Sequence, residues 1–247
     1  MTPSLRIALL SSLGALALAG CGDGATDPAK EQAAIAKVAA PAGTIWSQVV
    51  RFDADGSAVM GNPDAPIKLQ EYGAFTCGAC AQFARDSHEE LKRDFVDTGR
   101  VSFKFTPFML HPIDAVAGAV IKCAGADRYF PLADATFLDH EAFLTGASSP
   151  PPGLENAMQL PPEQRFNILA QGWKIDQFYQ QRGIPAPAIE QCLANVDNVT
   201  AIEKGTNDGA ATYQVNSTPT FIINGQKVDG ISSWGALRDR LRTIGAR

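Results

Sequence analysis

Apolar positions recur along this chain with two periods. The run Ile67-Lys68-Leu69-Gln70-Glu71-Tyr72 has the density of a buried strand, and Val101-Ser102-Phe103-Lys104-Phe105 alternates with the strand period of two. Between them Cys80, Phe83, Ala84, Ser87 and Leu91 recur at three- and four-residue intervals, which predicts a helix over 81–96 with one apolar face toward the sheet. Strand, helix, strand is a βαβ unit, with a right-handed crossover expected. From 111 to about 212 no strand pattern occurs. Helical spacing predicts helices over 113–124, 129–143, 162–171, 175–181, 188–195 and 199–213, punctuated by Ser149-Pro150-Pro151-Pro152-Gly153 and Gly183-Ile184-Pro185. Strand character returns in Thr218-Pro219-Thr220-Phe221-Ile222-Ile223 and in Gln226-Lys227-Val228. The Asn224-Gly225 between them is a hairpin turn signal. A helix over 233–243 closes the chain. Upstream, Ile45, Trp46, Val49, Val50 and Phe52, then the turn residues 53–57 and Ala58-Val59-Met60, predict a hairpin packed on the βαβ unit. The whole reads as an α/β fold with an all-helical insertion, about 111–212, between a βαβ half and a ββα half.

The N-terminal stretch departs from this pattern. Arg6 precedes an apolar segment over 7–19 that ends in Ala19 and Gly20, which predicts a secretory signal over 1–20. The segment is shorter than the ~20 residues a membrane-spanning helix needs. Leu18-Ala19-Gly20-Cys21 resembles the lipobox of bacterial lipoproteins, so lipid attachment at Cys21 is expected, with plain secretion as the alternative. Residues 22–43 are mostly Ala, Gly, Asp, Pro and Lys, too poor in large apolar groups to offset chain ordering. They read as a tether, with a transient helix over 33–40. The folded domain is expected over 44–247. The predicted location is the periplasm, membrane-anchored, or soluble there if Cys21 is not lipidated.

Composition adds exclusions. With 45% hydrophobic and 19% charged residues among 247, the chain is ordinary globular protein. A net charge of −5, with no Lys/Arg run interleaved with aromatics, speaks against a nucleic-acid partner.

The chemistry centres on Cys77-Gly78-Ala79-Cys80, which places two thiols one turn apart where a strand gives way to a helix. Unpaired N–H groups and the positive end of the helix dipole favour a thiolate at the first cysteine. The same spacing serves zinc knuckles or a structural disulfide. The three histidines, His88, His111 and His140, are scattered, however, and no second closely spaced thiol pair exists. The five cysteines leave one over in an exported protein. Lipidation of Cys21 removes it, and Cys77, Cys80, Cys123 and Cys192 remain as an even set in an oxidising compartment.

In this order the elements resemble a thioredoxin fold, and the helical insertion resembles the DsbA family of exported thiol-disulfide oxidoreductases. The resemblance runs over about 61–246. It rests on Glu71-Tyr72 before the Cys-x-x-Cys motif, Phe103-Lys104-Phe105-Thr106-Pro107, His111-Pro112, and Val215-Asn216-Ser217-Thr218-Pro219-Thr220-Phe221-Ile222-Ile223-Asn224-Gly225. The dipeptide Gly78-Ala79 departs from the Pro-His of the family's best-known strong oxidant and from the Gly-Pro of thioredoxin.

The resemblance implies roles for individual residues. Cys77 is the exposed nucleophile, and Cys80 is the inner, resolving thiol. Pro219 corresponds to the family's cis-proline, with Thr218 presenting an open backbone edge to a substrate strand. Glu71 is the acid below the thiols that accepts a proton from the inner cysteine. The alternatives for Glu71 are a solvated strand end or an ion pair with Lys104. Cys123 and Cys192 form the second, structural bridge that related members carry.

The implied activity is dithiol oxidation, with disulfide reduction or isomerisation and a metal-carrying chaperone as alternatives. Implied partners are exported cysteine-containing proteins, a membrane or periplasmic redox partner, and the membrane through the lipid. Neither a cofactor nor a metal is called for.

Overall fold

The computed structural model describes residues 32–53 and 55–247. The expected signal segment, Cys21 and the tether up to residue 31 lie outside them. The strands are β1 (Val50–Phe52), β2 (Ala58–Met60), β3 (Ile67–Gly73), β4 (Val101–Pro107), β5 (Thr220–Ile223) and β6 (Gln226–Val228). They form one sheet in the order β1-β2-β4-β3-β5-β6. β3 and β4 are parallel, as a helical crossover demands, and every other pair is antiparallel.

β3 is central; Ile67, Leu69 and Glu71 are buried on one face, while the other runs from exposed Lys68 through half-buried Gln70 to buried Tyr72. Register puts Glu71 between Phe105 of β4 and Phe221 of β5, with Leu69 between Phe103 and Ile223. Helix α1 (Gly78–Glu90) and α9 (Trp234–Thr243) lie over that face, where Phe83 meets Phe221 and Trp234 meets Phe83 and Phe95. On the opposite face Tyr72 packs with Phe108, Val215 and Ile222. There it meets α8 (Val196–Tyr213) at Gly209, where an added Cβ would come within 2.5 Å of the Tyr72 ring.

The insertion is helical among the described residues, comprising α2 (Pro112–Cys123), α3 (Ala126–Leu138), α4 (His140–Thr145), α5 (Pro162–Gly172), α6 (Ile175–Gln180), α7 (Ala186–Ala194) and α8, with a 3-10 turn at Leu154–Gln159.

Three local expectations change. The helix predicted over 81–96 starts at Gly78 and widens into a π-helical turn at Leu91–Val96. The helix predicted over 129–143 is broken at Asp139 (φ −98°, ψ 36°), whose carboxylate is held by Arg182, itself stacked 3.5 Å above the Phe178 ring. Such an anchor, 43 residues away, is invisible to local periodicity. Where composition predicts a tether with a transient helix, residues 32–40 carry no helix and lie against the domain. Ile35 N–H donates to Gly245 O at 2.9 Å and Val38 N–H to Thr98 O at 2.9 Å, while Trp46 Nε1 donates to Val38 O at 2.7 Å. Backbone hydrogen bonds, with Ile35 and Ala40 packed against the core, hold this stretch, so the folded unit begins before residue 44.

Candidate active site

The turn that delivers the thiols is built by packing. Phe75 is fully buried, stacked on Phe137 of α3 at 5.3 Å and tilted against Phe105 at 5.6 Å. Cys77 N–H donates to Ala74 O at 3.1 Å, and the chain enters α1 with Cys77 as its N-cap. In that place the Cys77 sulfur meets the helix's unpaired donors. Cys80 N–H donates to Cys77 Sγ at 3.1 Å, and the Cys77 thiol reaches Thr218 O at 3.4 Å.

Both cysteines are free thiols, and they are not equivalent. Cys77, expected to be exposed, keeps only 9% of its surface, and Cys80 keeps none. The hydrogen bond from the Cys80 thiol, with those from the Cys80 and Ala79 amides, pulls the Cys77 thiol down to about 6 against the upward push of burial. Burial pushes the Cys80 thiol far up, and its hydrogen bond to Cys77 and the Glu71 charge add to this.

Beneath them Glu71 is 4% exposed. Burial lifts its carboxyl to about 8, reinforced by the charges of Cys77 and Asp134. Neither alternative for Glu71 holds: it is not a solvated strand end, and Lys104 pairs instead with Asp53 at 3.2 Å and Asp55 at 2.5 Å. A cavity of about 40 Å³ joins Glu71 to Ser87, His88, Lys92 and Asp134, and its volume suffices for ordered water.

On the other side of Cys77 the Thr218-Pro219 peptide bond is cis, and it leads into β5. Cys123 and Cys192 stand apart from this group, bonded to each other with their Cα atoms 6.1 Å apart. Among the described residues no three His, Cys, Asp or Glu side chains converge to hold a metal ion.

A family profile described as thioredoxin matches residues 53–242. The chain belongs to the thioredoxin family. A Rickettsia prowazekii protein provisionally named a protein-disulfide oxidoreductase is 25% identical over 190 residues, 72% of this chain and 58% of that one. The chain thus spans little more than half the length of the curated relatives it matches over most of its own. The crystal structure of a protein-disulfide isomerase from Novosphingobium aromaticivorans superposes with a TM-score of 0.71 at 25% identity, covering 76% of this chain and 97% of that one. The Wolbachia pipientis alpha-DsbA1 structure gives 0.62 at 18% identity over 78% of this chain and 93% of that one, a likeness of fold alone. The all-helical insertion between the two halves is the DsbA arrangement of the thioredoxin fold.

Within this thioredoxin-family site the structure gathers Cys77, Cys80, Glu71, Thr218 and Pro219 around one helix end. It adds residues that spacing did not single out. His88 Nδ1 and Lys92 Nζ meet Asp134 Oδ2 at 3.1 and 2.6 Å, closing the outer end of the Glu71 cavity between α1 and α3. Asp114, fully buried, contacts the turn before Cys77. A capping-box signal existed for Asp114, three residues after His111 at a helix start, but nothing in the chain linked it to the thiols.

Proposed function

We propose that this chain is a protein thiol-disulfide oxidoreductase of an exported space, passing a Cys77–Cys80 disulfide to cysteine-containing proteins as a dithiol oxidase. The observation that carries the reading is the asymmetry of the pair: one sulfur at a helix N-cap with its thiol near 6, the other wholly buried with its thiol far up.

A substrate thiolate attacks Cys77 Sγ of the oxidised enzyme. The Cys77–Cys80 bond breaks, a mixed disulfide forms on Cys77, and Cys80 leaves with the electron pair and takes up a proton. Glu71, neutral below about 8, is the buried group that supplies that proton, and it accepts it again on re-oxidation. A second substrate thiolate then attacks the substrate sulfur of the mixed disulfide and expels Cys77. The low pKa of Cys77 makes it the better leaving group and stabilises the reduced enzyme, which favours oxidation of the client. Thr218 O, already within reach of Cys77 Sγ, lies where a substrate backbone can pair beside the cis-proline. A two-electron oxidant, the membrane or periplasmic redox partner, restores the disulfide.

Trapping tests this. Cys80→Ala is expected to accumulate reductant-sensitive adducts with exported cysteine proteins, whereas Cys77→Ala accumulates none. Equal adducts on both variants, or adducts through Cys123 or Cys192, would overturn the assignment.

The isomerase or reductase reading keeps one observation in its favour, the likeness to the Novosphingobium protein-disulfide isomerase. The reduction potential separates the two, since ~30 mV moves a two-electron equilibrium tenfold.

Cys123 and Cys192 are proposed as the structural bridge, supported by their bond between the end of α2 and α7. Cys21 is proposed as the lipid attachment site on the strength of Leu18-Ala19-Gly20-Cys21, and no helix among the described residues is long and apolar enough to cross a membrane. Cys21→Ser then moves the protein from the membrane pellet to the soluble fraction. Retention in the pellet would point to the uncleaved apolar segment instead.

A further inference from the structure

A buried carboxylate with no part in the exchange steps grips the chain immediately before the reacting sulfur. Asp114, in the first turn of α2, has no exposed surface. Its Oδ1 accepts from Thr76 N–H at 2.8 Å, and its Oδ2 accepts from Thr76 Oγ1 at 3.0 Å, Leu110 N–H at 3.1 Å and His111 N–H at 2.8 Å. Two of these four bonds only start α2. The other two run 38 residues back to the residue that precedes the N-cap of α1.

Such a placement is expensive without a purpose. Burying a carboxylate is unfavourable unless its lone pairs are satisfied, and a buried N-cap contact would need only one short polar side chain. Burial does push the Asp114 carboxyl upward, while its bonds to His111 and Thr76 pull it back down. The carboxylate ties the entry to the insertion to the turn 74–77 beyond the backbone bond from Phe108 N–H to Gly73 O at 2.8 Å.

The thiol on that turn depends on fine position. Cys77 Sγ must stay 3.1 Å from Cys80 N–H for that donor to stabilise the thiolate. A hydrogen bond weakens steeply as it lengthens and bends. Thr76 supplies the peptide that orients the Cys77 Cα–Cβ bond, so freedom at Thr76 is freedom at the sulfur.

We propose that Asp114 is a positioning residue for the reacting thiol: by fixing Thr76 from the first turn of the insertion, it holds Cys77 Sγ against the Cys80 amide at the start of α1. This rests on the reading of Cys77 as the reacting thiol. The helical insertion thereby sets the poise of a sulfur carried by the other part of the fold.

Position and charge predict opposite signs, which makes the proposal testable. A carboxylate acting by its charge disfavours a nearby thiolate, so its removal lowers the Cys77 pKa. A carboxylate acting by position stabilises the thiolate, so its removal raises that pKa. The experiment titrates the Cys77 thiolate by its ultraviolet absorbance and by alkylation rate in the reduced full chain, with the Cys123–Cys192 bridge intact. It compares the parent with Asp114→Asn, Thr76→Val and Thr76→Ser.

The Asn variant is expected to move the Cys77 pKa up by about half a unit, roughly a threefold loss of thiolate on the steep part of the curve. The Val variant keeps the backbone bond to Asp114 and loses the hydroxyl contact, so it moves the same way by less. The Ser variant restores the hydroxyl and stays with the parent. A folded variant of either of the first two kinds with its Cys77 pKa at or below the parental value would overturn the proposal. If Asp114→Asn fails to fold, Thr76→Val decides alone. Loss of stability by itself does not move the titration of a folded variant. A parent whose Cys77 shows no depressed pKa would instead defeat the proposed function, so the two failures are distinguishable.

Discussion

This molecule holds two cysteine pairs built on opposite plans. Cys77 and Cys80 are three residues apart, at the open end of a helix whose N–H donors face one of the sulfurs. Cys123 and Cys192 are 69 residues apart, at the end of α2 and within α7, and already share a bond. Local electrostatics distinguishes the sulfurs of the first pair, pulling one thiol down and pushing the other up. The second pair has no such setting, with Cys192 packed at 5% exposure and Cys123 on the surface. A short pair split by a helix N-cap suits exchange. A long-range pair between packed helices suits constraint, because what it removes is freedom of the unfolded chain.

The experiment with the largest expected effect is therefore cysteine replacement across both pairs. Cys77→Ala is expected to abolish thiol-disulfide exchange in an insulin or client-oxidation assay, and Cys123→Ala with Cys192→Ala is expected to leave the exchange rate close to parental. Equal losses of activity would erase the distinction. In stability the contrast inverts. Opening the bridge releases a loop of 69 residues, for which the chain-entropy account gives roughly 4 kcal/mol less any native strain, read by denaturant unfolding.

Glu71 sharpens the comparison, since nothing like it accompanies the bridge. Its folded value of about 8 stands above the ordinary 4.5, so between those values the folded state holds a proton that the unfolded chain has lost, and stability falls as pH rises. Glu71→Gln is expected to be more stable than the parent at neutral pH by up to ~3 kcal/mol, with the gain vanishing below about pH 4. The same variant is expected to slow the step in which Cys80 leaves. A gain in stability at acid pH, or unchanged exchange, would remove Glu71 from the proton path.

The smallest effect is expected at His88, at the far end of the Glu71 cavity. Its hydrogen bond to Asp134 raises its pKa above 6.5. The stability it contributes is thus complete below that value and lost as pH rises through the higher folded one. For a side chain 24% exposed, His88→Gln is expected to cost under about 1 kcal/mol in mild acid and nothing in base, measured by unfolding across pH.

Much of the fold was legible in the chain because it arises from local periods. The strands at 67–73, 101–107 and 220–228, the helix after Cys77 and the closing helix fall where apolar spacing and the Asn-Gly turn put them. Misreadings cluster where a distant group intervenes. The helical pattern stops at Asp139, where the carboxylate pairs with Arg182 from 43 residues on. Backbone bonds from 32–38 to Gly245, Thr98 and Thr243 order a segment too poor in side chains to be read as folded. Lys104 stands one residue from pairing with Glu71 in register, yet it turns to Asp53 and Asp55 on the neighbouring hairpin because strand alternation sends the two side chains to opposite faces.

Sequence alone determined the reactive unit. Cys-x-x-Cys at a strand-to-helix junction puts one sulfur at the N-cap and the other a turn inward, and that is a property of four residues and helix geometry. What only tertiary structure decided is how the unit is tuned. Glu71 is a buried acid because β4, β5, α1 and α3 close over it. Thr218 meets the sulfur across 141 residues of chain, and Asp114 meets Thr76 across 38. The local pattern specifies which groups can react, whereas desolvation and hydrogen bonding depend on what surrounds them, and packing brings those surroundings from parts of the chain that carry no mark of one another.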